Sequence, residues 1–87
     1  MYELEVEVKI NGNNQEYNIE FDVETRYNSE NNDYTFESFT SFVAWSHDEY
    51  GELHEEKKHL KEIMDVVESK YDDEIYHLIN NLKYVRL

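Results

Sequence analysis

The sequence predicts an α+β fold. It reads as an antiparallel sheet of three strands, with residues 82–87 a candidate fourth, and one long helix and a shorter C-terminal helix packed on one face. Three observations carry this. Residues 2–10 and 15–27 alternate apolar and polar side chains with a period of two, the mark of a half-buried strand. Residues 34–45 are crowded with aromatic and β-branched side chains, which suit a pleated surface. From Tyr50 to Leu82 apolar residues recur at intervals of three and four, with Lys57 the one polar interruption, the spacing of one helical face.

Taken in order, "YELEVEVKI" places Tyr2, Leu4, Val6, Val8 and Ile10 on one side and Glu3, Glu5, Glu7 and Lys9 on the other. In the adjoining "NGNN", Gly12-Asn13 suits a two-residue hairpin loop, because glycine accepts the positive φ of a primed turn. The next strand, 15–27, then turns Tyr17, Ile19, Phe21 and Val23 inward and Glu16, Asn18, Glu20, Asp22 and Glu24 outward. With that turn Val6 pairs with Ile19 and Leu4 with Phe21 inside, and Glu5 pairs with Glu20 and Glu3 with Asp22 outside. Like charges directly opposite one another destabilise a sheet by a few tenths of a kcal/mol up to about one. Local rules of this kind are broken most often where function asks for it.

"NSENND" reads as a polar turn that pairs Tyr27 with Tyr34. The strand over 34–45 would then send Tyr34, Phe36, Phe42 and Ala44 inward and leave Glu37, Phe39, Val43 and Trp45 among the acids. A bulge near Ser38 or cover from the chain terminus would correct this. In "SHDE", Ser46 and Glu49 have the spacing of a capping box, and Trp45 and Tyr50 occupy the staple positions around it. One helix over 47–81 would be about 52 Å long, so a break at "KYDDE" with Asp72 as a second cap divides it into 47–70 and 72–81.

Composition bounds the functional classes. Eighty-seven residues make one domain, 1–87, with a small core, since a chain this short buries only about 60% of its unfolded surface. Cysteine is absent, which removes disulfides and thiolate chemistry and fits a reducing cytoplasm. No basic-then-apolar leader and no apolar run near the roughly 18 residues of a membrane span is present, so a soluble, unprocessed protein is expected. The net charge of −13, from 21 acids against 8 bases, disfavours direct contact with nucleic acid or an anionic membrane and favours a basic protein as partner. Residues 1–52 hold 13 acids against Lys9 and Arg26, and residues 53–87 hold 8 acids against 6 bases, so the acidic excess belongs to the first half. Aromatics at 15% separate the chain from a disordered acidic tail.

Catalytic and metal chemistry find little support. In "HEEKKH" the two histidines, His54 and His59, stand at i and i+5, and on a helix they would diverge instead of sharing a zinc ion. His47, Asp48 and Glu49 are claimed by the helix start. "NSENNDYTFE" spaces Asn28, Glu30 and Asn32 like a calcium loop but lacks its glycine and its closing glutamate. Gly12 and Gly51 are the only glycines, so no phosphate loop or nucleophile elbow exists. No enzyme activity, cofactor or metal is expected.

The outward carboxylates remain. They stand about 6.6 to 7 Å apart along a strand and about 4.8 Å between strands, comparable with the phosphate spacing of DNA. In size, in the outward acids of "YELEVEVKI" and "EYNIEFDVE", and in its Asn-, Lys- and Tyr-rich usage, the chain resembles the small acidic phage-encoded inhibitors of bacterial defence nucleases, the anti-CRISPR and anti-restriction proteins that imitate DNA. The resemblance covers the character of the whole chain and transfers no motif residue. It implies an inhibitor acting in the bacterial cytoplasm, in which Glu3, Glu5, Glu7, Glu16, Glu20, Asp22, Glu24 and Glu37 engage the basic groove of a nuclease or other DNA-binding protein. Phe39 or Trp45 would serve as the desolvated anchor. The alternative is a non-catalytic interaction module or homodimer that makes contact through the third-strand aromatics or the helices.

Overall fold

A computed structural model describes residues 1–85, with side chains through Asn80. Four strands form one antiparallel sheet in chain order: β1 (Tyr2–Ile10), β2 (Asn13–Asn28), β3 (Asp33–His47) and β4 (Leu53–Glu56). Two helices come next, α1 (Leu60–Lys70) and α2 (Asp72–Val85). The α+β class and the first three strands agree with the sequence reading. The helices do not, because α1 starts thirteen residues later than expected and α2 is the longer of the two, 14 residues against 11.

The first hairpin turns at Asn11-Gly12, with φ of 51° and 82°, and not at Gly12-Asn13. A primed two-residue turn needs positive φ at both central positions, and asparagine followed by glycine meets that demand at the lowest steric cost. The register is therefore Leu4 with Ile19 and Val6 with Tyr17 inside, and Glu3 with Glu20, Glu5 with Asn18 and Glu7 with Glu16 outside. The shift is two residues, so every side chain keeps its predicted face while its partner changes. Two like-charged rungs persist, now separated by a neutral one.

The second hairpin pairs Tyr27 with Tyr34, as expected. Its turn consumes the groups that resembled a calcium loop: Asn28 Oδ1 accepts the Glu30 N–H at 3.0 Å, and Asn32 Oδ1 accepts the Tyr27 hydroxyl at 2.7 Å. Beyond it the register shifts twice. Thr25 faces Phe36 but Glu24 faces Ser38, leaving Glu37 as an extra residue; Val23 faces Phe39 but Asp22 faces Ser41, leaving Thr40 as another. Each bulge reverses the facing of the residues beyond it.

The expected capping box is a strand and a hairpin. β3 continues through Ser46 and His47, and Asp48 organises the loop to β4: its Oδ1 accepts the N–H groups of Tyr50 and Glu52 at 2.8 and 2.9 Å. Gly51, at φ 82°, supplies the left-handed turn residue. An aspartate that captures nearby backbone amides offers the chain an alternative to a helix. Tyr50 and Leu53, expected at core positions of a helix, are 82% and 55% exposed. β4 is the fourth strand, because α2 carries residues 82–85 as helix; residues 86 and 87 lie outside the described residues.

The core lies between the sheet's inner face and the helices. Val6, Val8, Ile19, Phe21 and Ala44 meet Ile63, Val67, Ile75 and Ile79, all buried. The helix break falls at Tyr71, next to the expected Asp72, and the Tyr71 hydroxyl accepts the Glu7 N–H at 2.9 Å on the edge strand. Asn80, 7% exposed, docks α2 on β3: its Oδ1 accepts the Tyr34 N–H and its Nδ2 donates to the Tyr34 carbonyl. Among the described residues, no helix is long and apolar enough to cross a membrane.

Asn80→Ala removes both bonds to the Tyr34 backbone, and a loss of about 1 to 3 kcal/mol in urea unfolding is expected. Buried Tyr17 donates to Glu56 Oε1 at 3.2 Å; burial and this carboxylate push its hydroxyl up to about 12. The unfolded chain therefore releases this proton first. Stability should fall as pH rises from about 10 to about 12, and Tyr17→Phe should flatten that fall in pH-dependent unfolding.

Candidate functional site: the uncovered acidic face

Both helices lie on one side of the sheet, so the opposite face is open. Glu3, Glu5 and Glu7 project there from β1 and are exposed, as is Glu16 from β2. Glu20 and Asp22 are half-buried. Glu20 Oε1 accepts the Trp45 indole N–H at 2.7 Å, and Asp22 lies 3.1 Å from the Met1 amino group and accepts the Ser41 hydroxyl at 3.4 Å. Glu24 is exposed opposite Ser38. Glu37, the extra residue of the first bulge, holds Arg26 Nε at 2.7 Å, so its charge is partly spent within the sheet.

The two aromatic anchor candidates separate. Phe39 is not on the acidic face: the first bulge turns it inward opposite Val23, where its ring centroid lies 5.5 Å from Phe21 and 4.9 Å from both Phe36 and Phe42. Its role is packing. The second bulge restores the original facing, so Phe42 and Ala44 turn inward and Val43 and Trp45 outward. One bulge alone would have buried Trp45.

β4 adds residues that the helical reading concealed. Glu55 faces Trp45 and Leu53 faces His47, which places both on the acidic face. One row of that face therefore runs Glu5, Asn18, Trp45, Glu55 across all four strands. No alternation marks β4, since "LHEE" is one apolar residue followed by three polar ones, and Gly51 two positions before it is the one local turn signal. Trp45, Leu53 and the carboxylates of Glu3, Glu5 and Glu20 line an open concavity of about 600 Å3.

At the β3–β4 hairpin, Asp48, Glu52 and His54 each bring a potential ligand atom within 4.8 Å of one another. The arrangement is accounted for by the hairpin itself, since Asp48 Oδ2 lies 2.8 Å from His54 Nε2 and Asp48 Oδ1 holds two backbone amides. His54 and His59 do not share a helix; His54 is in β4 and His59 precedes α1. No protein-family model, curated protein or solved structure matches this chain.

The hydrogen bond from His54, then those from the Glu52 and Tyr50 amides, hold the Asp48 carboxyl below its ordinary value of 3.8. The folded hairpin thus favours the carboxylate. Its contribution is full above 3.8 and is lost as pH falls through the depressed value. The Tyr50 and Glu52 amide resonances should report that titration in NMR, and Asp48→Asn should remove the inflection.

Proposed function

We propose that the protein is an acidic inhibitor that occupies the basic nucleic-acid-binding groove of a nuclease or other DNA-binding protein, presenting its uncovered sheet face in place of a phosphate backbone. The observation that carries this reading is the carboxylate array on that face. Glu3 stands opposite Glu20 and Glu7 opposite Glu16, although each such rung costs the sheet a few tenths of a kcal/mol up to about one. In β1 to β3 the only lysine or arginine residues are Lys9 and Arg26, and Arg26 is already engaged by Glu37.

The molecule is elongated, 46 Å against 23 and 18 Å, and β2 and β3, at 16 and 15 residues, are its longest strands, which gives the array length. Solubility asks for a net charge of only about 2 to 8 in magnitude with mixed signs, and this chain carries −13. An open face also suits occupancy better than catalysis, which needs a cleft that separates the pKa values of an acid and a base. Inhibition would act by exclusion, with long-range steering making association fast and sensitive to salt.

In capture from a nuclease-treated bacterial lysate, double-stranded DNA should release a basic DNA-binding protein from the immobilised chain before salt does. With that partner in hand, Glu7→Lys combined with Glu16→Lys should weaken binding by about tenfold or more, and affinity should fall steeply with ionic strength. A partner that ignores DNA, or affinity unchanged at about 0.5 M salt, would overturn the proposal.

A further inference from the structure

The acidic face has one point that differs in chemistry from the rest. Trp45, the only tryptophan, stands between Asn18 and Glu55 in the row that begins at Glu5. Its indole N–H is held by Glu20 at 2.7 Å, so the ring is fixed by a carboxylate of the neighbouring strand. Beside it, Leu53 is 55% exposed. Together they give the 600 Å3 concavity an apolar wall, while Glu3, Glu5 and Glu20 give it an anionic rim.

An apolar wall with an aromatic ring and a carboxylate rim selects a cation that carries its own apolar surface. A phosphate or a carboxylate is repelled by the rim, and a hydrated metal ion gains nothing from tryptophan and leucine. A lysine ammonium is a compact, strongly hydrated charge. A guanidinium is planar and weakly hydrated, stacks on aromatic faces and binds a carboxylate through two parallel hydrogen bonds. It therefore uses the ring and the rim at once.

We propose that this concavity receives an arginine side chain of a basic protein partner, its guanidinium stacked on the Trp45 indole and paired with Glu5, and its methylene stem against Leu53. The inference rests on the acidic face being the partner surface and narrows it. The surrounding glutamates attract cationic surface in general, and the Trp45 concavity distinguishes arginine from lysine.

The test compares labelled hexaarginine and hexalysine peptides, equal in charge, titrated against the whole chain at one ionic strength by fluorescence anisotropy, with Trp45 emission read in parallel. Hexaarginine should bind about fivefold tighter or more, with a saturable change in Trp45 emission at the same midpoint. Trp45→Leu should abolish the preference while leaving hexalysine affinity within about twofold. Glu5→Gln, which keeps Trp45 and its bond to Glu20, should reduce the preference without disturbing the indole. Equal binding of the two peptides with no tryptophan response overturns the inference and leaves the acidic face standing as a cation-binding surface. Equal loss of both peptides in Trp45→Leu also overturns it. Binding of neither peptide to the unaltered chain overturns both readings.

Discussion

The inward rows of β1 and β2 bury themselves against Ile63, Val67, Ile75 and Ile79, and the other features of the molecule depend on that contact. Two helices of 11 and 14 residues can cover one face of a four-stranded sheet and no more. Alternation along each strand then divides the chain into a side that must be apolar and a side that must meet water. Exposed carboxylates on the wet side, such as Glu3, Glu5, Glu7 and Glu16, keep their hydration, and they can accumulate there until mutual repulsion limits them.

Where that division would fail, in β3, backbone irregularity repairs it. A run as aromatic as "YTFESFTSFVAW" cannot alternate cleanly, and an unbroken strand would leave Phe39 in water. The bulge at Glu37 turns Phe39 into the aromatic cluster with Phe21, Phe36 and Phe42, and the bulge at Thr40 returns the strand to its first phase. The outcome is selective: three phenylalanines join the core side while Trp45 stays on the acidic face, held there by Glu20. Bulges re-aim side chains in this way near sites of interaction, and here they isolate one tryptophan among glutamates.

The charge on β1 also bears on self-association. β1 is an edge strand, and edge strands invite pairing with a second copy. Two copies pairing antiparallel through β1 would bring Glu3, Glu5 and Glu7 of each close to those of the other, and the Tyr71 hydroxyl already engages the edge at the Glu7 N–H. The surface that would attract a cationic partner thus discourages its own duplication. Solubility, avoidance of edge pairing and the proposed steering toward a basic groove would all draw on the same row of side chains, and a net excess well beyond what solubility requires is the feature that favours the proposal.

Local patterning in the chain was enough to specify the α+β class, the first three strands, the facing of the residues in β1 and of residues 16–24 in β2, the polar turn at 28–33 and the helix break beside Asp72. These rest on short-range effects: side-chain alternation, turn propensity and the helical period act within a few residues and can be read locally. The acidic face was accessible for the same reason, since Glu3, Glu5, Glu7, Glu16 and Glu20 needed only the correct parity, which survived the two-residue error in register. The remaining features were set by contacts between distant segments. Whether Phe39 or Trp45 faces the acids depends on two bulges, which bring Phe39 against Phe21 on the neighbouring strand. Whether residues 46–56 form a helix or a hairpin depends on β3 being available to pair with β4, and on Asp48 and Gly51 closing the loop between them. Apolar spacing cannot reveal either outcome, because each compares a local preference with a contact to a distant strand.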